Sequence, residues 1–225
     1  MSLISTALIV CTITGTLGWI AVRDHRALRA SRAALLGQCT SLFDRHTLSH
    51  EGDSFPRISG RIGDRNVDVR LICDTMTMRR LPQLWLQTTV LARMPANAGF
   101  AILVRPSNYE FYSLTGEFEH VIEPPAGFPS EVIIRGETAR ASALLAKLSG
   151  PIADILQDPL VKEIAVTRQG LRIIRQADEG RRGDHLLLRQ AVFDKGAVPA
   201  AALQSVLRQI ESLHAAAFAQ ESVAA

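Results

Sequence analysis

Histidines, cysteines and scattered carboxylates are the residues of this 225-residue chain whose types could do chemistry. His46 and His50 are four apart, a spacing that lets two imidazoles share a helical face as metal ligands. A third ligand would have to be Glu51 or Asp53, and the pair falls where the helical pattern ends, which favours a solvated loop. His185 follows Asp184 and offers an acid–imidazole pair, the arrangement that orients a general base. On a strand, however, sequence neighbours point to opposite faces. His120 lies among glutamates, which would favour its charged form if they are close; it reads as an exposed residue.

Cys11, Cys39 and Cys73 are widely separated, and the first lies inside an apolar run. This leaves at most one pair for a disulfide, which suits a reducing compartment. There are too few thiols for a four-cysteine zinc site and no short cysteine pair for a mixed one. Cys39 and Cys73 read as small core residues rather than nucleophiles. Arg182-Gly183-Asp184 matches a cell-adhesion tripeptide and reads as a turn. No phosphate-binding glycine loop, dinucleotide fingerprint, nucleophile elbow or His-Glu-x-x-His occurs. No catalytic, cofactor-binding or metal residue is therefore assigned, and no cofactor is implied.

The segment "PSNYEFYSLTGEFEHVIEPPAGFPSE" is different in kind. It gathers Tyr109, Phe111, Tyr112, Phe118 and Phe128 with Glu110, Glu117, Glu119, Glu123 and Glu131, and no Lys or Arg occurs between Arg105 and Arg135. Rigid rings supply buried area and acids select a basic partner, so Tyr109, Phe111, Tyr112 and Phe118 are candidate docking residues. The competing reading is a long connection whose rings fold back on the sheet.

The elements that must position these residues begin with an uncharged run from Leu3 to Val22, followed by Arg23, Arg26, Arg29 and Arg32. About 20 residues at 1.5 Å rise give roughly 30 Å, the thickness of a bilayer's hydrocarbon core. Ser and Thr in the run can bond back to their own helix. Trp19 suits an interface belt, and Gly15 and Gly18 would allow close helix packing in a membrane. The expectation is a transmembrane anchor over 1–22, with the arginines holding the remainder on the cytoplasmic side of a bacterial inner membrane and the N-terminus outside. The expected partners are then the lipid bilayer and other membrane-complex subunits. The formal charge of +3 is concentrated in the arginine collar of residues 23–32. A phosphate-gripping face needs its own surplus, so nucleic acid is excluded as a partner.

A basic juxtamembrane helix is expected over 23–50, with Leu28, Leu35, Leu36, Cys39, Leu42 and Phe43 on one stripe. An α+β domain follows over 51–219, with possible halves at 51–130 and 131–219, and a tail at 220–225. "RISGRIGDRNVDVRLICD" predicts a hairpin turning at Gly63-Asp64-Arg65-Asn66. "LPQLWLQTTVLARMP" and "GFAILVRP" predict strands in central positions, being apolar on both faces. "SEVIIRG" predicts a short strand, and Thr138 caps a helix carrying Ala141, Leu144, Leu145 and Leu148. Gly150-Pro151 is expected to break that helix, with a second short one through Ile152, Ile155 and Leu156. "KEIAVTRQGLRIIRQ" predicts a second hairpin turning at Arg168-Gln169-Gly170, and "HLLLRQAVF" a strand. A closing helix over 198–218 carries Leu203, Val206, Leu207, Ile210, Leu213 and Ala217. The fold class expected is α+β, a mostly antiparallel sheet packed with helices.

The order of an N-terminal apolar run, a basic helix, "GRIGDRNVDVRL", "PSEVIIRGETARASALLAKL" and "KEIAVTRQGLRIIRQ" resembles a group of uncharacterised bacterial membrane-anchored proteins. The resemblance covers residues 55–215 and implies an inner-membrane protein with no assigned reaction; it carries over no functional residues. Three readings follow. The first is a non-catalytic accessory or assembly subunit that docks on a membrane complex. The second is a tethered sensory or ligand-binding domain with a pocket between the sheet and the last helix. The third is a tethered enzyme, which would need displaced pKa values clustered in a cleft.

Overall fold

The computed structural model of the chain describes residues 3–50, 55–75, 81–95, 97–188 and 191–219, apart from the side chains of residues 3–6, 8, 9 and 186–188. Glu51, Asp53 and the tail 220–225 lie outside the described residues. Helix α1 (Leu3–Ala34) runs without a break past residue 22. Its side chains from Val10 to Ala27 are all exposed, and Arg32 reaches the domain. The hydroxyls of Thr14 and Thr16 donate to the carbonyls of Val10 and Thr12 (2.8 and 2.7 Å), as expected for threonines in an apolar helix.

Among the described residues no helix is long and apolar enough to cross a membrane. Thr12, Thr14, Gly15, Thr16 and Gly18 dilute the apolar run of α1. The transmembrane anchor over 1–22, and with it the inner-membrane location, the outside N-terminus and the cytoplasmic placement of the rest, are corrected on this finding. The basic helix expected over 23–50 also stops early. α1 ends at Ala34, a 3-10 turn follows over Gly37–Leu42, and strand β1 occupies Arg45–Ser49.

The remaining strands are β2 (Arg57–Ile62), β3 (Arg65–Asp74), β4 (Gln83–Leu91), β5 (Phe100–Val104), β6 (His120–Val121) and β7 (Val132–Gly136). Helix α2 (Ala139–Leu156) precedes the hairpin of β8 (Val161–Thr167) and β9 (Gly170–Glu179), and α3 (Arg182–Leu188) and α4 (Ala200–Phe218) close the chain. All strands join one antiparallel sheet in the order β1-β2-β3-β4-β9-β8-β5-β7-β6. The α+β class with a large antiparallel sheet is thus as expected, and β4 and β5 are interior. β8 and β9 insert between β4 and β5, so residues 51–130 and 131–219 share one sheet rather than building one each.

Alternation sorts the strands' side chains onto two faces. One face, with Ile58, Val69, Leu86, Ile173, Ile164 and Ile102, meets the apolar stripes of α2 and α4. Each such side chain contributes roughly 1.5–3 kcal/mol when fully buried. The 3-10 turn joins this core through Leu36, Cys39 and Phe43, and the Val198 amide donates to the Leu35 carbonyl (2.7 Å).

Three local expectations differ from what is found. α2 is continuous through Pro151, because Ile152, Ile155 and Leu156 extend the buried stripe of its first turns and outweigh one missing backbone bond. "HLLL" lies in α3, not a strand, and Arg182-Gly183-Asp184 opens that helix rather than forming a turn. The first hairpin turns on Gly63-Asp64 alone, with Gly63 at φ 60°, and Arg65 and Asn66 already pair with Ile62 and Arg61.

Candidate docking strap

The second face of the sheet is covered by residues 105–119, which cross it as a strap. The sheet there is polar. β8 has a bulge between Val161 and Glu163, so two charged neighbours, Lys162 and Glu163, both serve the strap side. Glu163 is fully buried and paired with Arg172 of β9, whose guanidinium also reaches the Tyr112 carbonyl (3.2 Å) and Gln87 Oε1 (3.5 Å). Arg70 of β3 donates to the same Gln87 oxygen (3.0 Å). The other carboxylate oxygen of Glu163 accepts from the Leu114 amide (3.2 Å).

Lys162 fastens the start of the strap. Its ammonium donates to Glu110 Oε1 (2.7 Å) and to the carbonyls of Val104 (3.1 Å) and Arg105 (2.7 Å). Glu110 also accepts from the Ser107 amide and hydroxyl (2.7 Å each) and the Tyr109 amide (3.2 Å). Burial alone would raise the Glu110 carboxyl, but the hydrogen bonds from Lys162 and Ser107 outweigh it and hold it at about 2. The chain reaches this geometry through left-handed Arg105 (φ 50°) and Asn108 (φ 65°). Arg105 is itself held by the carbonyls of Pro159 (2.8 Å) and Val161 (2.6 Å).

The pinning decides where the aromatic candidates go. Tyr112 (5 % exposed) and Phe118 (8 %) face the sheet. Tyr112 lies on Trp85 at 5.9 Å between ring centroids, and Phe118 packs with Ala101 and Ala165. These two rings lie against the sheet and are shielded from solvent. Tyr109 (55 % exposed) and Phe111 (64 %) point outward, with Phe111 edge-on to Tyr112 at 5.3 Å. Nothing in the spacing of "NYEFY" distinguishes outward from inward rings. The missed signal is the adjacent Lys162-Glu163 pair in an otherwise apolar strand, which announces a polar cover.

The titratable groups here are anchored rather than poised. Tyr112 is pushed well above the usual phenol range by burial and by the carboxylates of Asp74, Glu110 and Glu163. Burial pushes the thiols of Cys39 and Cys73 up to about 11, so neither is a thiolate nucleophile near neutral pH. Trp85 Nε1 and the Tyr112 hydroxyl are close to each other, yet neither makes a well-formed hydrogen bond. Among the described residues no group of three His, Cys, Asp or Glu could hold a metal ion. His46 lies exposed on β1 and His120 exposed on β6. His185 sits in α3, its amide bonded to the Arg181 carbonyl (3.1 Å).

The N-terminal candidates are outward-facing as well. Trp19 is 64 % exposed beneath the Arg23 guanidinium (5.4 Å), which also contacts Asp24. Arg26 is exposed on α1, as is Arg29. Arg32 instead reaches the domain, donating to the Ala191 carbonyl (3.3 Å) and stacking over Phe55 (5.0 Å). A Cβ built on Gly15 or Gly18 would meet nothing within 4 Å. A cavity of about 480 Å³ does lie between the sheet and the last helix, where the Arg65–Glu211 ion pair (2.8 Å) crosses it.

No protein-family model matches the chain, and no curated protein matches it.

Proposed function

We propose that the protein is a non-catalytic accessory or assembly subunit whose α+β domain docks on a larger protein complex. The observation that carries this reading is the strap: two exposed aromatic side chains, Tyr109 and Phe111, held on a segment that buried ion pairs fix to the sheet. Rings presented on a rigid support lose little entropy on binding and make effective interface anchors. The exposed acids Glu117, Glu119 and Glu123 nearby favour a basic partner surface. α1 offers a second contact for the same assembly. Val10, Ile13, Leu17 and Val22 are about half exposed, an apolar surface of the kind that marks an interaction site. Gly15 and Gly18 leave room for a partner helix to approach closely.

The test is co-purification of the tagged full chain from gently lysed native cells, compared with the Tyr109→Ser/Phe111→Ser variant. The reading expects a stoichiometric partner set that the variant loses while its thermal midpoint stays unchanged. A chain that purifies alone, or a partner set indifferent to both substitutions, overturns it.

A ligand-binding reading is favoured by the cavity beneath α4 alone. It expects a metabolite that raises the thermal midpoint of the full chain by mass action, an effect removed by Leu207→Trp.

A further inference from the structure

The strap leaves one end of the second face open. Over β1, β2 and β3 that end forms a groove of about 530 Å³, lined by three consecutive residues from each strand together with Leu91. Consecutive residues alternate in direction on a strand, so the floor of the groove is main chain as well as side chain. β1 is the outermost strand, paired to β2 on one side, and its other edge carries no strand among the described residues. Such an edge is a template for an added strand.

The charge on this edge is uncompensated. Arg45 and Arg61 are direct cross-strand partners, an arrangement that is unfavourable for like charges. The nearby acids are engaged elsewhere. Asp68 accepts from Arg57 (2.7 Å) and Ser59 (2.6 Å), Asp44 accepts from the Gly63 amide (2.7 Å), and Asp64 lies beside Arg65 (3.8 Å). Arg61 donates to the Gly63 carbonyl (2.7 Å), and neither Arg45 nor Arg61 has a carboxylate partner among the described residues. Gly60 holds the edge in place: a Cβ there would run into the Arg45 carbonyl and the Phe43 ring (2.9 Å), so only glycine lets β1 lie this close to β2.

We propose that the free edge of β1, with the Arg45–Arg61 pair, binds an extended acidic segment of a partner protein as a tenth strand of the sheet. Five residues of β1 offer about 16 Å of main chain for pairing. Carboxylates at alternate positions of the incoming strand fall on the face of Arg45 and Arg61 and relieve their repulsion. Thr47, Ser59 and Asn66 supply neutral polar contacts beside them. This surface is separate from the strap and does not depend on Tyr109 or Phe111.

The test uses the full-length chain and a fluorescein-labelled decapeptide alternating threonine and glutamate, followed by anisotropy and by hydrogen exchange of residues 45–49. Two controls are a lysine-for-glutamate peptide and a peptide in which two central threonines are proline, which keeps the charge but removes main-chain donors. The expected result is saturable binding that protects 45–49, weakens at least tenfold for both control peptides and is screened by salt. Arg45→Glu and Arg61→Glu should each weaken binding at least tenfold, whereas Arg140→Glu, an equal charge change on α2, should not. Arg45→Glu places a carboxylate opposite Arg61 and so should fold at least as well as the parent, which separates lost binding from lost structure. Tyr109→Ser/Phe111→Ser should bind the peptide normally. Equal binding of the proline peptide, equal loss in Arg140→Glu, or full competition by millimolar inorganic phosphate would each overturn the proposal in favour of a non-specific or simple anion site.

Discussion

Replacing Lys162 with methionine removes the fastening of the strap and keeps the apolar stem that threads the β8 bulge. Glu110 is then left beneath the strap with three donors from Ser107 and Tyr109 but no counter-charge, and the Val104 and Arg105 carbonyls lose their ammonium. Breaking a buried ion pair from one side costs about 3–5 kcal/mol. A second route to the magnitude runs through the carboxyl itself, held at about 2 when folded. Against roughly 4.3 in an unfolded chain, at 1.36 kcal/mol per pH unit, that is about 3 kcal/mol shared among Lys162 and the Ser107 donors. Screening at the strap's edge and the retained donors bring the expected loss to about 2 kcal/mol. With a urea slope near 2 kcal/mol per molar, the midpoint at pH 7 should fall by about 1 M. Amides of 105–119 should exchange faster than those of β4 and β9. Because the carboxyl is depressed in the folded state, its contribution is complete above about pH 5 and is lost as the pH falls toward 2. The gap between parent and variant should therefore close over that window. A midpoint within 0.2 M of the parent at pH 7, with unchanged exchange in the strap, would refute the pinning.

Arg172→Met leaves Glu163 fully buried and unpaired and should cost about 3–5 kcal/mol in urea unfolding; Arg172→Met/Glu163→Leu should recover most of that loss. Thr88 is fully buried on the helix side, and its hydroxyl has no hydrogen-bond partner. Thr88→Val should therefore stabilise the protein by about 1 kcal/mol, read as a higher thermal midpoint. Tyr112→Ser removes the ring from Trp85 and should cost about 3 kcal/mol, whereas Phe111→Ser should stay within about 0.5 kcal/mol of the parent. Gly60→Val should detach β1, seen as full exchange of the 45–49 amides while β8 and β9 remain protected.

Much of the sheet was legible because its periodicities are local. Val67, Val69 and Leu71 alternate with Asp68 and Arg70, and the structure puts them on opposite faces of β3. Thr138 caps α2 through the Arg140 amide (3.1 Å), and α4 buries five of the six residues named for its stripe, Leu207 remaining half-buried. What the local pattern missed depends on contacts between distant segments. The insertion of β8 and β9 between β4 and β5 leaves no mark in either hairpin's own alternation. The continuity of α2 through Pro151 is decided by the core that its last turn meets. The strap shows the same limit at the candidate site: Tyr109, Phe111, Tyr112 and Phe118 are chemically alike, and the bulge at Lys162 and Glu163, more than forty residues away, selects which rings face out. The run 3–22 misled for the opposite reason, since composition alone suggested a span that the described helix does not support.

Site-specific photocrosslinking at position 111 tests the central claim most directly. The full chain carrying a photoreactive phenylalanine there, irradiated in native extract, should give one discrete adduct that is absent with the same group at position 140 on α2. The adduct should disappear when Tyr109 is serine and when Lys162 is methionine, because the first removes a neighbouring anchor and the second releases the strap. Adducts of equal yield at positions 111 and 140, or an adduct at 111 unaffected by both substitutions, would contradict the account of a pinned docking strap.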